Sequence, residues 1–151
     1  MLHFDFQSSI GYWICMTAHQ YERAMNLELT PEGITHRQCQ VLAWLALEGD
    51  LSQVELADRM NIEPSTLVRV LDRMERDGLI VRGNDPHDRR KKLIRPAGNA
   101  PPVWNRIVAC AERVRSRAID GLTAEQLETL KRLLAIVQAN LGRTDALKET
   151  A

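Results

Sequence analysis

A mainly helical chain with one small β-hairpin is the fold class this sequence predicts, and three observations carry it. Apolar residues recur at helical spacing over most of the 151 residues. Two helical stretches in the middle are separated only by Asn61-Ile62-Glu63. Two strand-like runs follow, Leu79-Ile80-Val81-Arg82 and Lys92-Leu93-Ile94-Arg95, with the turn chemistry Gly83-Asn84-Asp85-Pro86 between them. Helix, short turn, helix and then a hairpin is the order of a winged helix-turn-helix.

The first helix of the pair opens on Ser52 and Glu55, a capping box in which a hydroxyl and a carboxylate each satisfy an orphan backbone donor. Leu56, Ala57 and Met60 give it one apolar side. Pro64 opens the second helix, where a missing N–H costs nothing, and Gly78 stops it. Leu67, Val70, Leu71 and Met74 form the face it buries. The outward positions are then Ser65, Thr66, Arg69, Arg73 and Arg76, a surface suited to a polyanion. Behind it, the hairpin tip carries Asp88, Arg89, Arg90, Lys91 and Lys92. From Arg82 to Arg95 six cationic side chains stand against Asp85 and Asp88, a local excess of four.

On the N-terminal side, Ile10, Ile14, Ala18, Tyr21 and Met25 mark an amphipathic segment from about Phe6 to Leu27. Tyr12, Trp13 and Met16 make it apolar over more of its surface than a simple surface helix needs, which fits a core face plus a partner-facing side. Leu29 to Gly33 reads as a linker. Thr35 with Gln38 caps a helix that buries Val41, Leu42 and Leu45 and closes at Gly49-Asp50. Past the hairpin, Asn99 is the capping residue for a helix with Val103, Ile107, Ala111, Val114 and Ala118 on one stripe, ended by Gly121. Thr123 with Gln126 caps the last helix, whose seam of Leu127, Leu130, Leu134, Val137 and Leu141 wants a partner helix. These long striped helices exceed what a small winged domain can bury, so a symmetric homodimer is expected. The expected organisation is one domain over residues 1–151, with a DNA-binding lobe at about 35–98. Dimerisation helices are expected at about 6–30 and 99–142.

Composition sets outer limits. The formal net charge is zero, so nucleic-acid affinity has to come from local patches. Three cysteines, an odd number, point to reduced thiols in a cytoplasm. No cationic start followed by an apolar run suggests a signal peptide, and no apolar stretch approaches membrane-spanning length. No enzyme is expected, because there is neither a glycine-rich phosphate loop nor a G-x-S-x-G elbow. Cys15 with His19 and His36 with Cys39 are spaced for metal ligation, but nothing brings the two pairs together, so neither a metal nor another cofactor is expected.

The segments QVELADRMNIEPSTLVRVLDRMERDGLIVR and DPHDRRKKLI resemble the MarR family of bacterial transcription regulators, and PSTLVRVLDRME with DRRKK looks like its SlyA-like branch. Pro96-Ala97 departs from the family, which has a Leu-Thr pair there. The resemblance implies a cytoplasmic, nucleoid-associated dimer that binds double-stranded DNA. It further implies a repressor released from a pseudo-palindromic operator by a small aromatic, anionic or phenolic effector. By position on the second helix, Ser65, Thr66 and Arg69 are expected at base edges and Arg73 at a phosphate. By resemblance, Arg90 enters the minor groove, Asp88 holds it, and Arg89, Lys91 and Lys92 follow the backbone. An effector pocket is expected from Tyr12, Trp13 and Met16, with His36 or Arg37 as polar anchor. Two alternatives stand beside this reading. One is a cysteine-based redox sensor of the same fold, although Cys15 falls about one turn late for the peroxide-sensing branch. The other is a winged-helix module that binds protein and not DNA, which the outward cations disfavour.

Overall fold

The computed structural model describes residues 5–85 and 92–148, with side chains to residue 142. Six α-helices and three short strands follow in the order α1 (Ile10–Leu29), α2 (His36–Glu48), β1 (Leu51–Ser52), α3 (Gln53–Arg59), α4 (Pro64–Arg76), β2 (Ile80–Asn84), β3 (Lys92–Pro96), α5 (Ala100–Ala118) and α6 (Ala124–Lys148). The chain divides into two compact units, Met1–Val114 and Arg115–Ala151.

Local chemistry accounts for most boundaries. The capping boxes expected at Thr35/Gln38 and Ser52/Glu55 are both formed. At the start of α6, the Thr123 and Gln126 side chains make the same reciprocal bonds at 3.2 and 2.8 Å. The helix-turn-helix bend is a left-handed cap: Asn61 has φ +49°, its N–H reaches the Asp58 carbonyl, and Ile62 N–H reaches Ala57, both at 3.0 Å. Gly78, at φ +69°, closes α4 in the same way, with Gly78 N–H on Glu75 and Leu79 N–H on Met74.

Three expectations need correction. Helix α1 starts at Ile10, not Phe6, because Asp5 and Ser8 close a turn first, with Ser8 N–H on Asp5 Oδ1 at 3.3 Å. The linker after it is ordered as a single 3₁₀ turn, Thr30–Glu32, ended by Gly33 at φ +70°. A third strand was not foreseen: β1 pairs antiparallel with β3, Leu51 opposite Ile94 and Ser52 opposite Leu93. The hairpin therefore supplies two strands of a three-stranded sheet in the order β1-β3-β2. Two residues are too few to leave a periodic signature, so sequence alone could not separate β1 from the cap of α3.

The core of the first unit joins α1 through Met25 and Leu29, α2 through Val41, Leu42 and Leu45, and α3 through Leu56. From α4 come Leu67, Leu71 and Met74, from the sheet Leu51, Ile80 and Ile94, and from α5 Ile107, Cys110 and Val114. No helix among the described residues is long and apolar enough to cross a membrane.

Leu71 is fully buried, whereas Val68, one turn back at the edge of the buried face, is 37% exposed. Leu71→Ala should cost about 2–5 kcal/mol of unfolding free energy in urea titration. Val68→Ala should stay within about 0.5 kcal/mol, as surface changes do.

Candidate nucleic-acid interface

Helix α4 is strongly two-faced. Leu67, Leu71 and Met74 have no exposed surface, while Ser65, Thr66, Arg69, Arg73 and Arg76 all lie exposed on the opposite side. Its start is held from two directions. Thr66 N–H donates to the Glu63 carbonyl at 2.9 Å, and Gln53 Nε2, from the first turn of α3, donates to the Pro64 carbonyl at 3.4 Å. Among the described residues neither Arg69 nor Arg73 sits in an ion pair, whereas Arg76 pairs with Asp77 at 3.2 Å. The sequence expectation for which side chains face outward is met here.

The hairpin behaves differently from a simple basic loop. Arg82, on β2, reaches back to α4, where its guanidinium meets Asp72 at 2.7 Å and also Glu75. Its backbone N–H donates to Glu75 Oε1 at 3.2 Å. Partial burial works against its charge, but the two carboxylates outweigh that and raise its pKa further. Arg95, on β3, pairs with Asp50 in the α2–β1 connection. The excess of four cations counted along the hairpin thus includes two that serve the fold. Lys92 is exposed at the β3 start, and its Nζ donates to Asn84 Oδ1 at 2.7 Å across the Asn84–Lys92 strand pair. Asp88, Arg89, Arg90 and Lys91 lie outside the described residues. Sequence reasoning missed the Arg82 clamp because it joins residues seven and ten apart across an element boundary. Carboxylates at 72 and 75, on one face of a helix that otherwise points cations outward, were the available sign.

A sequence profile of the MarR family matches residues 32–91, which span this lobe from the lead into α2 to the wing. Solved structures match far more of the chain. Apo wild-type MarR from E. coli is 26% identical with a TM-score of 0.74, covering 85% of this chain and 96% of that one. Residues 32–91, the lobe that holds α4, are thus similar to the MarR family. A mutant of E. coli MarR in complex with operator DNA gives a TM-score of 0.72 at 26% identity, over 85% and 92% of the two chains. CouR from Rhodococcus jostii bound to p-coumaroyl-CoA gives 0.75 at 25% identity, over 89% and 95%. These likenesses agree on the MarR family and select no branch within it.

Elsewhere in the chain, the five residues expected to line an effector pocket lie on α1 and in the first turn of α2. Trp13 and Met16 are exposed, and Tyr12 is half-buried against the edge of Trp13 with ring centroids 5.5 Å apart. Trp13 Nε1 donates to the Gln7 carbonyl at 2.9 Å. His36 Nδ1 lies 3.2 Å from Glu22, and Arg37 donates to Gln40 at 2.9 Å. A shallow groove of about 290 Å³ runs along α1 past His19, Glu22, Arg23, Asn26, Leu27 and Thr30, none of them among the five.

The cysteines separate cleanly. Cys15 is exposed, whereas Cys39 and Cys110 are buried. Burial, together with the nearby Cys110, pushes the Cys39 thiol up from 9.0 to about 11. Cys110 donates to the Glu28 carbonyl at 3.4 Å and lies 3.2 Å from Arg113, which is itself held by Glu28 at 2.7 Å. A reagent must reach the sulfur to react with it, so buried thiols are slow. At pH 8 an alkylating reagent should modify one thiol per native chain, at Cys15, and all three only after denaturation. Mass spectrometry of the digested protein would show this, and native labelling of Cys39 would contradict the packing. Above pH 9 the unfolded chain loses a proton that folded Cys39 keeps to about 11, so stability should fall as pH rises through that window.

Proposed function

We propose that this protein is a sequence-specific DNA-binding regulator of transcription of the MarR family that works as a homodimer. The observation that carries the reading is the outward face of α4, where hydroxyls at the helix start precede two exposed arginines that have no ion-pair partner among the described residues. A recognition helix enters the major groove with its N-terminal residues at base edges, which assigns Ser65, Thr66 and Arg69 to bases and Arg73 to a phosphate. At the wing, Arg90 is assigned to the minor groove with Asp88 as its support, and Arg89, Lys91 and Lys92 to the backbone. The known complex of a relative with operator DNA supports the same use of the fold.

The dimer is supported by apolar surface that a monomer would leave in water. On α1, Ile10, Trp13 and Met16 are exposed; on α6, so are Leu130, Leu133, Leu134, Ile136 and Leu141. A second copy is the natural cover, with residues 6–30 and 99–142 as the pairing helices and 35–98 as the reading lobe. Two lobes related by a twofold axis read a pseudo-palindrome with half-sites about one helical turn apart. We further assign an effector, small, aromatic and anionic or phenolic, to the region of Tyr12, Trp13 and Met16, with His36 or Arg37 as anchor. The relative bound to p-coumaroyl-CoA supports this chemistry. Such a ligand releases a repressor from DNA only by binding the DNA-incompetent conformation more tightly.

Fluorescence anisotropy with a duplex taken from DNA flanking the protein's own gene, against a random duplex, tests the assignment. Arg69→Ala should cost about 1–3 kcal/mol, selectively at particular base pairs. Lys92→Ala should weaken all sequences alike and lower the salt slope by about one. Arg90→Ala should hurt most where the minor groove is narrow and A·T-rich. Equal losses on both duplexes for all three variants would refute the assignment.

A further inference from the structure

The end of the recognition helix and the start of α5 meet at one joint. The Asn99 side-chain amide donates to the carbonyl of Asp77, the last residue of the α4 cap, at 3.1 Å. The Asn99 backbone N–H donates to the Gly78 carbonyl at 3.1 Å, and Ala97 N–H to the Leu79 carbonyl at 2.9 Å. A Cβ on Gly78 would lie 2.7 Å from Asn99 Nδ2 and would displace that amide. The same glycine needs φ +69° to close α4. The helix-ending motif already engages the carbonyls of Met74 and Glu75, which leaves Asp77 beyond its reach. Asn99 supplies that missing donor from outside the helix.

Asn99 also stands immediately before Ala100, the first residue of α5, where the helix dipole favours negative charge but Pro101 and Pro102 leave no N–H at the second and third positions for a side-chain cap. Its amide is turned to α4 instead. We propose that Asn99 is a positioning residue for DNA reading, holding the C-terminal end of the recognition helix on the N-terminus of α5 without touching DNA. This rests on the DNA-binding reading above.

The α5 N-terminus and the α4 end give opposite signs for one isosteric change. Asn99→Asp keeps the shape, loses the donor and adds a negative charge. At the N-terminus of α5 that charge is favourable through the helix dipole. Against the carbonyl end of α4 it is repulsive, and no hydrogen bond replaces the lost one. The full-length Asn99→Asp protein should therefore melt lower than wild type. Its preference for the flanking-gene duplex over a random duplex should fall about threefold to tenfold, with an unchanged salt slope because no phosphate contact is lost. Amide hydrogen exchange at Asp77, Gly78 and Leu79 should accelerate, whether or not DNA is present. Asn99→Ala, which removes the donor without adding charge, should fall between the two and serves if the aspartate variant does not fold. A raised melting temperature, wild-type exchange at residues 77–79 or wild-type duplex preference in Asn99→Asp would overturn the proposal. Failure of wild type to prefer the flanking duplex would refute the DNA reading instead, and the exchange rates would still decide the joint.

Discussion

Everything at the proposed interface depends on the burial of one side of α4. Leu67, Leu71 and Met74 lie wholly inside the core, and with them the rotation of the helix about its axis is set. A turn of 100° would put Arg73 where Met74 packs or, the other way, Asp72 where Leu71 packs, and an unpaired charge in that core is far more costly than any single surface contact is favourable. The outward display of Ser65, Thr66, Arg69 and Arg73 is thus the complement of the packing. The reading face needs no interactions of its own to be held in place.

Charge pairing then fixes the wing relative to the reader. Arg82 bridges from β2 to two carboxylates of α4, and Arg95 bridges from β3 to Asp50. Exposed pairs of this kind contribute little stability individually. Their consequence is geometric: the base of the hairpin is registered to the recognition helix through one doubly anchored arginine. At the opposite end of α4, Asp77 and Gly78 meet Asn99 at the start of α5. The reader is accordingly held at its start by α3, along its side by the wing base and at its end by α5.

The helices, their caps and the buried and exposed faces of α4 were legible in the sequence, because each leaves a local mark. Ser52 with Glu55 and Thr35 with Gln38 sit three apart, and Leu67, Leu71 and Met74 repeat at helical spacing. What escaped was nonlocal. The strand at Leu51–Ser52 exists only because β3 offers it a partner, and the engagement of Arg82 and Arg95 depends on carboxylates brought near by folding. The capping role expected of Asn99 identified the right residue at the right boundary, but its amide turns toward the neighbouring helix. Around the expected pocket, the partners of His36 and Arg37, Glu22 and Gln40, are likewise contacts that only the fold displays.

The claim that the outward face of α4 reads DNA can be tested by mapping backbone amide chemical shifts while the flanking-gene duplex is added. The account predicts the largest changes at Ser65, Thr66 and Arg69, with a second set on the hairpin around Lys92. Changes confined to other parts of the chain, with the amides of residues 65–73 unmoved at saturation, would contradict it.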